Sequence, residues 1–228
     1  DLGTSCVAAA MGAALFALHP FAAVHAVSGM ETAAFTCALT ALAVAAAAAL
    51  GSEGGLRPWR IALLALATGL LRPEGNVAAL VLLGATLAML GAAGRARLAR
   101  AVLLGYLLPG AVYFMWRHAY HGEWLPLPFY VKVADAPMLA GFARVSGFLA
   151  ELCMLIGVPL AIGLVALPRV LVPAVAGAVA LIVCELFPEH LMGFQARYLM
   201  PAAPVAFAIA DMEKPSKSKG MTISKITR

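Results

Sequence analysis

"LLRPEG", residues 70–75, decides how this chain folds. Apolar runs flank it, 61–71 before and 76–93 after, and between them stand Arg72, Pro73, Glu74 and Gly75. Read as one helix, 61–93 would extend about 50 Å at ~1.5 Å per residue, too long for a ~30 Å hydrocarbon core even when tilted. Read as a hairpin reversing at 72–75, the same residues give two helices side by side.

Charge separates the two readings. In the hairpin, Arg57 and Arg60 share a side with Arg95, Arg97 and Arg100, and the alternation of further spans brings Arg169 and the Lys-rich tail there too. Counting Lys214, Lys217, Lys219, Lys225 and Arg228 in that tail, eleven of the sixteen Lys and Arg then lie on one side. That asymmetry is what short cytoplasmic loops show. A single straight helix would split the clusters. The hairpin is expected.

The rest of the chain agrees with a membrane setting. It is 63% hydrophobic and 12% charged, with mean hydropathy +0.94, whereas a soluble domain carries about 25% charged residues. Apolar segments at 7–24, 32–50, 61–71, 76–93, 101–116, 145–167, 170–187 and 199–210 are the candidate spans. The fold class expected is all-α, a polytopic transmembrane helix bundle of about seven or eight spans, since helices need ~20 apolar residues to cross. The alternating strands of a membrane barrel are absent. Cys6, Cys37, Cys153 and Cys184 fall inside apolar stretches without CxxC spacing, and are expected to be buried small hydrophobes. The net charge of +5 sits in short connections and the tail, so it reports topology and not nucleic-acid binding.

The side opposite the arginines would hold 25–31, 72–75, 117–144 and 188–198. These segments contain Glu31, Arg72, Glu74, Arg117, His118, His121, Glu123, Lys132, Asp135, Glu189, His190, Gln195 and Arg197. Loops are wet and some polarity there is ordinary. Glu31, Arg72 and Glu74, however, sit at span ends with almost no spacer.

Each motif has a plain and a chemical meaning. In "SGME" (28–31), Ser28 and Glu31 can compensate the dipole of the following helix, worth about 0.3–1 kcal/mol; alternatively Glu31 lines a polar cavity. In "LLRPEG", an Arg72–Glu74 ion pair can seal the turn, or Arg72 can meet an anionic headgroup, since guanidinium matches phosphate oxygens bidentately. "HAYHGEWLPLPFYVK" (118–132) reads as a loop by its Gly and two Pro, with Trp124, Phe129 and Tyr130 suited to a membrane interface. His118, His121 and Glu123 match no metal-site spacing. Lys132 is either a phosphate ligand or a solvated loop residue. In "GFQARYLMP" (193–201), Arg197 and Tyr198 are either interfacial anchors or a second cation and a packing surface for a sugar or lipid. No GxSxG, Walker loop, HExxH or dinucleotide fingerprint occurs.

Taken in order, SGxE, LRPEG, YHGxWLPxPxYxK and RYLxP resemble the polytopic glycosyltransferases of the GT-C class, especially the bacterial branch that includes the mycobacterial terminal arabinofuranosyltransferases. The resemblance covers about residues 20–205. Met30 stands where that branch usually has Leu, and "LPLPFYVK" lacks the Asn-Thr pair often found after LP. The resemblance implies a polyprenyl-phosphate sugar donor, a cell-envelope glycan or lipid acceptor, and a multi-pass protein of the bacterial inner membrane. The motif loops would be extracytoplasmic and the C-terminal tail cytoplasmic. It implies substrate-binding roles for Glu31, Arg72, Glu74, His121, Lys132, Arg197 and Tyr198. Arg72, Lys132 and Arg197 would supply cations where charge develops on the departing lipid phosphate, and Glu31 and Glu74 would orient them or bind sugar hydroxyls. No metal, cofactor or nucleic-acid partner is called for, and the catalytic base is not assigned.

The class usually carries an acidic catalytic motif in its first extracytoplasmic loop. No such pair precedes residue 25, so the expectation is a piece of a longer parent, with residues 1–212 as the membrane domain and 213–228 as a disordered polar tail. Two other classes compete: a transporter or flippase-like carrier, which would need repeat-related broken helices with mid-span charges, and an inactive fragment.

Overall fold

The computed structural model describes residues 31–51, 55–124 and 169–184, with the single positions 14, 146, 147, 150 and 204. Among the described residues the fold is all-helical, with no strand. Spans expected at 7–24, 145–167 and 199–210 lie outside them, apart from those single positions.

Helix α1, Thr32–Gly51, follows the expected 32–50 closely. Its buried residues Thr32, Phe35, Thr36, Leu39, Leu42, Ala43, Ala46 and Ala47 recur at three- and four-residue steps, the spacing that puts one stripe of a helix against its neighbours. Many are alanine, so the backbones can approach closely. Cys37 falls off that stripe and is exposed, and Cys184 is only half-buried, so neither is the buried hydrophobe that the apolar context predicts. Cys6 and Cys153 lie outside the described residues.

Helices α2, Pro58–Leu71, and α3, Pro73–Met89, form the hairpin. Arg72 alone separates them, with extended backbone at φ −149° and ψ 140°. Proline explains the break on both sides. It disfavours helical geometry in the residue before it, and it is well placed at a first helical position because that N–H has no intrahelical partner. Both helices accordingly begin at a proline. The apolar runs 61–71 and 76–93 understated their starts by one turn, since charge and proline are tolerated in a first turn.

The end of α3 and the start of the next helix meet again at the opposite end. Arg95 donates from Nε to the Leu87 carbonyl at 3.0 Å and from its terminal nitrogen to Leu90 at 3.1 Å, covering carbonyls left open where α3 stops. Leu56, just before α2, lies against the position of Gly94. The start of α2 and the end of α3 are therefore neighbours, so the hairpin is antiparallel.

Helix α4 runs unbroken over Ala92–His121, 30 residues, and absorbs both the arginines expected in a connection and the start of the segment expected as a loop at 118–132. Its middle, Leu103–Leu107, is a π turn that ends two residues before Pro109. The ring of Pro109 would collide with the carbonyl four residues back, at Gly105; widening that turn lets the helix pass a proline that would otherwise break it. Gly122, at φ 76°, ends α4, with its N–H donated to the His118 carbonyl at 2.8 Å. The left-handed conformation makes glycine the natural residue there.

Helix α5, Arg169–Cys184, packs along α3, with Gly177 against the Ala78 carbonyl and Leu82. Val170 beside Gly51 puts the start of α5 at the end of α1. The core joins α1, α2, α3, the first half of α4 and α5 through Phe35, Leu42, Ile61, Leu82, Leu98 and Leu181, all at most 1% exposed. Among the described residues two helices, Thr32–Gly51 and Ala92–His121, are long and apolar enough to cross a membrane.

The turn is packed too closely to admit a methyl group. A Cβ at Gly75 would lie 2.7 Å from the Phe35 ring and closer still to the Thr68 carbonyl, whereas one at Gly84 would meet nothing. Gly75→Ala is expected to cost about 1–3 kcal/mol as the turn is forced apart. Gly84→Ala should be neutral or stabilising by up to about 1 kcal/mol. Thermal unfolding of the two variants in one detergent checks the contrast.

Candidate functional site

Thr32 opens α1, and the Phe35 N–H donates to the Glu31 carbonyl at 2.8 Å, so Glu31 immediately precedes the helix. One turn on, the Phe35 ring lies under the Arg72 guanidinium, 5.3 Å from centroid to central carbon. Glu31 and the 72–75 turn are therefore at the same end of the bundle. Arg57, Arg60, Arg95, Arg97, Arg100 and Arg169 are at the other end, by the contacts of Leu56 with Gly94 and of Val170 with Gly51.

Arg72 is 3% exposed, unusual for a residue that is almost never fully buried unless paired. It forms an ion pair with Glu74, which is partly open to solvent. The aromatic face of Phe35 adds a cation–π contact, worth more where the cation is desolvated. The turn-sealing ion pair envisaged from the sequence is thus present, and Glu31 stands exposed at the same end of the bundle.

A second set of hydrogen bonds holds the turn, and it centres on a residue the motifs did not include. Asn76 donates from Nδ2 to the Gly69 carbonyl at 3.0 Å, and its Oδ1 accepts from the Tyr106 hydroxyl at 3.0 Å. One carboxamide therefore clamps α2 to α3 and ties both to the π turn of α4. Asn76 is the chain's only asparagine, set in an otherwise apolar helix. That was the signal available, since a buried amide needs partners. Its partner, Tyr106, could not be found without knowing that the π turn carries it there.

The remaining expected residues are dispersed or undescribed. His121 is exposed at the tip of α4, its ring edge-on to Tyr120 at 4.8 Å. His118 instead stacks on Trp124, with ring centroids 4.1 Å apart. Among the described residues no three His, Cys, Asp or Glu side chains gather as metal ligands. Lys132, Arg197 and Tyr198 lie outside the described residues. Comparison with protein-family models, with characterised proteins and with solved structures returns no match.

Two measurements test this turn. Glu74→Gln leaves the Arg72 charge buried beside a neutral partner and should cost about 3 kcal/mol, while the double variant Arg72→Met/Glu74→Leu should recover part of that loss. Chemical denaturation of the parent and both variants checks the order. Tyr106→Phe removes one hydrogen bond to Asn76 and should cost about 1 kcal/mol, read from the thermal midpoint.

Proposed function

We propose that this chain is the membrane domain of a glycosyltransferase that moves a sugar from a polyprenyl-phosphate donor to an extracytoplasmic cell-envelope acceptor. The observation that carries this proposal is the separation of charge along the bundle. Glu31 and the Arg72–Glu74 turn share one end, and the arginine-rich connections share the other. With the arginine end cytoplasmic, the turn faces the opposite leaflet, where a lipid-linked sugar would be met.

The chemistry suits the residues. Departure of a polyprenyl phosphate leaves negative charge, and a cation already held in place stabilises it without reorganising. A guanidinium matches phosphate oxygens bidentately, so the proposal gives Arg72, oriented by Glu74, the role of meeting the lipid phosphate. Phe35 and the Asn76 clamp fix its position. Glu31, exposed at the rim, would bind sugar hydroxyls in this proposal. His121, Lys132, Arg197 and Tyr198 belong to the same proposal through the motif resemblance.

The test is transfer from a radiolabelled polyprenyl-phosphate pentose in proteoliposomes, alongside binding of the unlabelled lipid phosphate. Arg72→Gln is expected to weaken transfer by about 100-fold, the scale for losing one charge-stabilising group. Unchanged transfer in that variant removes Arg72 from the site. Failure of the folded chain to bind polyprenyl phosphate overturns the proposal.

A further inference from the structure

The two charged ends are closer together than a bilayer's polar faces. On α2, from Arg57 before the helix to Arg72 after it, the chain rises about 22 Å at ~1.5 Å per residue. On α4 the interval from Arg100 to Arg117 is about 25 Å on the same basis. These helices share one register: a Cβ at Gly105 would lie 3.2 Å from the Ala62 side chain. Counting from that contact, Arg57 is level with Arg100, and Arg72 is level with Met115, a residue or two short of Trp116 and Arg117. Two helices thus place polar boundaries in the same two planes.

Between the planes the outer surface of α4 is apolar and open. Leu103, Leu107, Leu108, Val112 and Met115 are 44–66% exposed, and no residue of Leu108–His121 is buried. Trp116, stacked on Tyr120, marks the boundary at the turn end, while the half-exposed Trp59 ring lies against Gly105, inside the arginine plane. Cations outside and aliphatic side chains within is the order of groups expected across one bilayer. Arg60, a turn further in, is exposed and can reach the arginine plane with its long stem. Arg72 cannot move outward in the same way, because it is buried and paired with Glu74.

We infer that the bundle's lipid partner is a bilayer thinner than the usual ~30 Å core, so that it associates preferentially with short-chain phospholipids and thins longer-chain ones around α2 and α4. The inference rests on the membrane reading above but not on sugar transfer. A mismatch of several ångströms costs fractions of a kcal/mol per ångström, enough to sort lipids at the protein surface. Helix α1, 20 residues without a charge, fits the same slab by tilting. Thinning would also lower the headgroup plane toward the fixed level of Arg72.

The chain's three tryptophans, Trp59, Trp116 and Trp124, are each at least half exposed and report lipid contact directly. The full chain is reconstituted with brominated dioleoylphosphatidylcholine, which quenches tryptophan. Dimyristoleoyl-, dioleoyl- or dierucoyl-phosphatidylcholine then competes for the surface. Fluorescence recovery is expected to be several-fold more effective for the dimyristoleoyl lipid than for the dierucoyl lipid. Equal recovery, or an optimum at the dioleoyl or dierucoyl lipid, overturns the inference and leaves the membrane assignment standing. Absence of quenching, with failure to float with any of the three lipids, overturns both.

Discussion

The structure depends on keeping one arginine buried and paired at the point where the chain reverses. Arg72 stands between two helices that each begin at a proline, and its extended backbone turns the side chain under cover of Phe35 and onto Glu74. An unpaired buried charge would cost several kcal/mol, which a marginally stable fold does not have to spare. The pairing therefore constrains its surroundings: Gly75 must lack a side chain, α1 must bring Phe35 to this end, and α3 must leave at once.

These demands propagate down the bundle. With the hairpin closed, the small faces of α1, α2, α3 and α5 meet through alanine and glycine, and a few large side chains such as Leu42, Ile61 and Leu82 fill what remains. Arg95 then does at the opposite end what Pro73 does at the turn. By donating to the last carbonyls of α3 it allows a second reversal with almost no connecting chain. Two sharp reversals leave α2 and α4 running the same way, and that common direction gathers most of their charged residues toward two ends.

What could be read from the sequence was whatever local chemistry dictates. Proline after arginine located the hairpin, uninterrupted apolar residues located α1, and the sidedness of arginine anticipated which ends would be neighbours. Reading basic residues as connections failed at Arg95–Arg100, because nothing there breaks a helix and long side chains can leave a helical backbone for water. Reading Gly122 and the prolines beyond it as one loop failed over 118–121, since a helix stops at its cap and not at the first polar residue. The candidate site was legible only in its charged members. Phe35 and Tyr106 act through tertiary placement, and no spacing in the sequence links position 106 to position 76.

The π turn of α4 has a consequence for how the chain tolerates change in length. Each residue of an α-helix advances its neighbours by about 100°, and the widened turn takes up part of such an advance between the arginine half and the aromatic half of α4. Shortening the chain by one position within Leu103–Leu107 would restore a uniform winding, swing Tyr106 away from Asn76 and roll Trp116 and Tyr120 around the axis. The upper half of α4 would survive as a helix yet present a different flank to whatever surrounds it. Orientation at the rim is therefore set by a winding irregularity near the middle of the helix.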